Sequence, residues 1–176
     1  MFDKIKKNKK YFQWHGESGA GFIFLEVLIA VALVGIVFLL LMGIGVQALN
    51  ISRTIETANR ADSLLKEGME QVRNFRDGTD WAIDGLGIAS TGSANPHHVI
   101  LDLLPSPHYH LEDGAQTIEE FTRSIVVDRV SRDPGTQNIE SVYNAGNDDP
   151  DTRKVTIEMA QGSATYRLMA YFTNWQ

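Results

Sequence analysis

The chain has 176 residues, 43% of them hydrophobic and 22% charged, which suits one modest domain with an appendage and excludes a multidomain enzyme. It contains no cysteine, so neither a disulfide framework nor a thiolate metal site exists. The formal charge of −6 is unevenly placed: residues 1–21 carry five lysines against Asp3 and Glu17, a net of +3, leaving −9 for a body that repels polyphosphate and disfavours bulk nucleic-acid binding.

The lysines Lys4, Lys6, Lys7, Lys9 and Lys10 make residues 1–21 a basic leader. From Phe22 to Val46 every residue is apolar or glycine except Glu26, and no further charge occurs until Arg53. About 20 apolar residues cross a hydrocarbon core of roughly 30 Å, whereas a cleaved secretory signal needs only about 7 to 15. Lysines before the segment and an acidic body after it predict a cytoplasmic N-terminus and an exported C-terminal body. Two plainer readings stay open at this point. Val46-Gln47-Ala48 fits a small-x-small signal peptidase site, although the excess length argues against it, and hydrophobicity alone is equally met by a simple single-pass anchor.

The run Gly21-Phe22-Ile23-Phe24-Leu25-Glu26-Val27-Leu28-Ile29-Ala30 resembles the cleavage and methylation motif of type IV prepilins and type II secretion pseudopilins. The resemblance implies cutting after Gly21 by a membrane prepilin peptidase, N-methylation of Phe22, and an assembly role for Glu26, five residues into the mature chain. Ile23 departs from the threonine or serine often found second after the cut. Physics bears on Glu26 separately, because an ionisable side chain in a membrane segment costs on the order of a few kcal/mol and is normally paired. Its expected partner is the amine of Phe22, about 6 Å away along a helix axis, and the family implies that the pair forms between neighbouring subunits. The plainer alternative is that Glu26 only snorkels to the cytoplasmic interface.

Beyond the apolar run, Ile51, Ile55, Ala58, Ala61, Leu65, Met69, Val72 and Phe75 recur at spacings of three and four, with Arg53, Glu56, Arg60, Glu67, Glu70 and Arg73 between them. This periodicity predicts an amphipathic extension over residues 50–77. No proline precedes Pro96, so one helix from Phe22 to about Arg76 is expected, on the order of 80 Å long. Gly35, Gly43 and Gly45 weaken it or admit close helix packing. Gly43 stands where pilins often carry a helix-breaking proline. Residues 64–81, LLKEGMEQVRNFRDGTDW, resemble a pilin-like subgroup whose glutamate- and arginine-rich segment ends in a tryptophan turn. Gly78 and the glycines from 85 to 92 predict a loop.

The rest, within residues 78–176, reads as strands: Val99 to Leu103, Phe121 to Val130, the alternation through Val155, Ile157 and Met159, and that through Tyr166, Leu168, Ala170 and Phe172. Asp148, Asp149 and Asp151 lie close enough in sequence for oxygen ligation of calcium, but with Asn147 and Pro150 a solvated hairpin turn is the preferred reading. His97, His98, His108 and His110 form a second cluster, in which His108 and His110 share one strand face and offer two nitrogens to a metal, while spacing supplies no third ligand. No nucleophile elbow, phosphate-binding glycine loop or His-Glu-x-x-His occurs, so no enzyme is expected.

The expected fold is α+β, with a long N-terminal helix, half transmembrane (22–49) and half amphipathic, on a small antiparallel sheet. The expected function is a structural subunit, minor in type, of a type IV pilus or type II secretion pseudopilus, located in the inner membrane and then in the fibre. Its partners would be other pilin or pseudopilin subunits, prepilin peptidase and the inner-membrane assembly platform. The alternative is a fibre-tip adhesive or ligand-binding module on the same anchor, for which Tyr166, Tyr171, Phe172 and Trp175 are candidate surface residues, although packing against the sheet is the preferred role for them.

Overall fold

The computed structural model describes residues 19–175, with side-chain surroundings from residue 22 onward. Helix α1 (Gly19–Gly78) has 60 residues. The chain divides into two compact units, residues 1–52 and 53–176. The leader lies outside the described residues apart from the backbone of its last three positions.

In the first unit every side chain from 22 to 52 is exposed, including Leu39 at 70% and Val34 at 69%. The helix persists here because no proline interrupts it and straight-chain or γ-branched residues such as Leu39, Leu40, Leu41 and Met42 sustain it. It is long and apolar enough to cross a membrane.

The second unit is α+β. The C-terminal part of α1 covers an antiparallel sheet of six strands: β1 (His97–Asp102), β2 (His108–Asp113), β3 (Gln116–Ile118), β4 (Phe121–Ser131), β5 (Asp148–Gln161) and β6 (Ala164–Thr173). The order across the sheet is β2-β1-β4-β5-β6, with β3 also pairing to β4. Ala61, Leu64, Leu65, Met69, Val72 and Phe75 of the helix meet Phe121, Ile125, Val127, Val155, Ile157, Met159 and Phe172 from the sheet. Each of these side chains larger than alanine, fully buried, contributes about 1.5–3 kcal/mol relative to exposure. Strand alternation produces the sheet's half of this core, since odd-numbered residues from 121 to 127 of β4 and from 155 to 159 of β5 face the helix while Thr156 and Glu158 stay half-buried on the other face.

Three expectations shift. The covered stripe begins near Ala58 rather than Ile51, and Ile51 and Ile55 remain 53% and 54% exposed, so the apolar register set for the sheet starts about two turns later than periodicity predicts. The segment beginning at Asp148 is the start of β5, not a turn: Asp148 and Asp149 pair with Ser131 and Val130, and the register breaks between Arg129 and Val130. Pro150 is accommodated there because residues 150–152 have no partner in β4, so its missing N–H breaks no rung of that ladder. β3, three residues long, has no periodicity to betray it.

Candidate functional site

The motif residues sit at the start of α1. The Gly21–Phe22 bond falls in the first helical turn, where backbone N–H groups lack intrahelical acceptors and the chain opens at least cost. Phe22 is 76% exposed. Phe22, Leu25, Glu26 and Ile29 line one shallow depression, as the i, i+3, i+4, i+7 spacing requires, so the carboxylate and the residue that would carry a new amine share a face. Glu26 is the one charged side chain between residues 22 and 52. At Gly35, Gly43 and Gly45 an added Cβ would meet nothing within 4 Å. These three positions are gaps in an otherwise bulky apolar surface.

The segment that ends at the tryptophan is built into the second unit. Thr79 Oγ1 donates to the Phe75 carbonyl at 2.8 Å and closes the helix. Trp81 is buried and its Nε1 donates to the Pro150 carbonyl at 3.1 Å. Leu86 is wholly buried beside it. Arg153 binds this loop to the sheet: its Nη2 donates to Gly87 O at 2.7 Å, its Nη1 to Pro150 O at 3.1 Å, and its guanidinium lies 5.9 Å from the Trp81 ring centre. Arg76 stacks on Trp175 at 3.7 Å.

Arg123, on the helix-facing side of β4, is a second buried cation that periodicity did not single out. Its side chain is 2% exposed, donates to Gln116 Oε1 at 2.6 Å and lies 3.9 Å from Glu67. Burial pushes its pKa below the usual arginine value, against the opposing pull of Glu67. Gly68 gives it room, because a Cβ there would come within 3.2 Å of Ile157 Cδ1 and 3.4 Å of Arg123 Cδ. The signal was available, since Arg123 lies in phase with Phe121 and Ile125.

Asp148, Asp149 and Asp151 do not converge. Tyr143 donates to Asp148 at 2.9 Å, Arg132 Nε to Asp149 at 2.5 Å, and Asn174 Nδ2 to Asp151 at 3.2 Å. Burial works against ionisation of Asp149, but hydrogen bonds from Thr152, Arg132 and the Asp151 N–H hold its carboxyl below the usual range. These contacts read as the anchoring of a bulged strand start, not as a calcium cage.

The histidines divide. Buried His97 bonds the Ser90 carbonyl through Nε2 at 2.8 Å, and His98 lies 3.4 Å from Glu112, so both are held within the sheet. His108 and His110 share a face of β2, as expected. The third group that spacing could not supply is Asp102, which stands opposite His108 in the β1–β2 register. The ligand atoms of Asp102, His108 and His110 lie within 4.8 Å of one another.

The four late aromatics do not form one surface. Phe172 is buried and Tyr166 packs against the core, whereas Tyr171 and Trp175 are 45% and 71% exposed. No family model, curated protein or solved structure matches the chain.

Proposed function

We propose that the chain is a structural subunit of a type IV pilus or type II secretion pseudopilus, processed by prepilin peptidase after Gly21 and N-methylated at Phe22. The body is exported, the helix rests in the inner membrane, and the subunit enters the fibre through the assembly platform by helix packing against other pilin or pseudopilin subunits. The observation that carries this reading is an apolar helix with every side chain from 22 to 52 exposed, bearing one carboxylate on the same face as Phe22. A surface this large and apolar requires a bilayer or other helices around it, and a lone acid within it requires a cation. The α-amino group released at Phe22 of a neighbouring subunit meets that need and sets axial register. Gly35, Gly43 and Gly45 support close helix approach. The role is structural rather than catalytic.

N-terminal sequencing and intact mass of the exported protein test this directly. A start at N-methylated Phe22 is the expected result, and a start at Met1 or Leu49 overturns it.

A further inference from the structure

The β1–β2 hairpin carries a group of side chains that the fibre role does not use. Val99 faces the helix and is 4% exposed, so strand alternation and register put Asp102, His108 and His110 together on the opposite face. His108 Nε2 lies 3.6 Å and His110 Nδ1 3.0 Å from Asp102 Oδ2. A tetrahedral zinc with bonds of about 2.0–2.2 Å holds its ligand atoms roughly 3.3 Å apart, which these separations bracket.

Two further details bear on what the cluster does. The Nδ1 of His108 lies 3.0 Å from the Ser106 carbonyl, an acceptor that fixes the proton on Nδ1 and leaves the lone pair on Nε2, the nitrogen aimed at Asp102. The Nδ1 of His110 is shielded from solvent and has no aligned hydrogen-bond partner, even though Asp102 Oδ2 is close. Two ring nitrogens and a carboxylate oxygen gathered at one point form a donor set that suits a borderline metal rather than calcium or magnesium.

We propose that Asp102, His108 and His110 form a binding site for a divalent transition metal of the zinc class, with a fourth position open to water or to a donor from another molecule. The metal joins both strands across the loop of residues 103–107 and fixes the β2 edge of the sheet. This site stands apart from the processing motif, and its test does not depend on fibre assembly.

The test is calorimetric titration of the full chain in detergent micelles with zinc chloride, with the visible ligand-field spectrum of cobalt(II) as a second readout. One equivalent is expected to bind, with intense tetrahedral cobalt bands. Asp102→Asn, His108→Ala and His110→Ala should each weaken zinc binding by about tenfold or more, while His98→Ala leaves it unchanged. Circular dichroism of the metal-free variants checks their fold. Absence of saturable binding, or binding that all three substitutions leave intact, overturns the proposal, as does a cobalt spectrum of the weak octahedral type.

Discussion

Residues 22–52 and residues 53–78 belong to one helix, yet they solve opposite problems. In the second stretch Leu64, Leu65, Val72 and Phe75 are at most 4% exposed because the chain supplies its own sheet to cover them, and charged residues occupy the other face. In the first stretch apolar residues surround the whole helix, and none of the described residues covers them. An amphipathic stripe is the mark of a helix that packs on its own domain, whereas an all-round apolar surface is the mark of one whose solvent is lipid or other helices. The stripe specifies a fold. The all-round surface, with its single acid, is what the proposed assembly would use.

The largest effect should come from removing that acid. Glu26→Ala is expected to lower fibre incorporation by about tenfold or more, since roughly 1.4 kcal/mol already changes an equilibrium tenfold and an intramembrane ion pair exceeds that. Thermal unfolding of the body should not change. Incorporation at the wild-type level would break the comparison, because the first stretch would then assemble without its one charged side chain. In the second stretch, Phe121→Ala should destabilise the body by about 3–5 kcal/mol in urea titration, while membrane insertion of the helix stays intact.

A smaller effect is expected where a loop takes over from the helix. At Gly87 a Cβ would collide with the Trp81 carbonyl oxygen and ring, so Gly87→Ala should cost about 1–3 kcal/mol. A neutral result would show that the tryptophan turn is less tightly packed than its geometry requires. The smallest effect concerns pH. The native carboxyl of Asp149 titrates below its unfolded value of about 3.9, so its stabilisation is complete above that pH and is lost as pH falls through the lower native value. Melting temperature followed from about pH 5 down to about pH 2.5 should therefore fall less steeply for Asp149→Asn than for the wild-type chain. Equal slopes would show that Arg132 and Thr152 do not discriminate between the two protonation states.

Much of the fold was legible because two periods, 3.6 and 2, are written clearly in the stripe through Phe75 and in the alternation through Met159 and Phe172. What periodicity could not reveal depends on strand pairing. Asp102 becomes a neighbour of His108 only through the hairpin, and the prolines at 105 and 107 that mark its turn sit between them in sequence. Asp148 to Asp151 have the composition of a turn, but Asp148 and Asp149 pair with β4 across a bulge, and strand pairing overrode local preference. Arg123 and Arg153 were passed over because charge usually marks a solvated position, whereas each buries its guanidinium where helix, loop and sheet meet. The proposed processing motif was legible as a motif alone, since its described side chains, from Phe22 to Ala30, are all exposed.

The Arg153 clamp has a consequence for how the body resists attack. Residues 79–96 form a long connection without helix or strand, the sort of segment a protease usually opens first. Here Gly87 and Pro150 offer their carbonyls to one guanidinium, and Trp81 and Leu86 are sunk beneath the surface. Cleavage needs several extended, detachable residues, and this stretch cannot release them without giving up its core contacts. Limited digestion should therefore nick the body first near Leu104, which is 84% exposed, or Val142, at 78%, and leave the apparently unstructured connection whole.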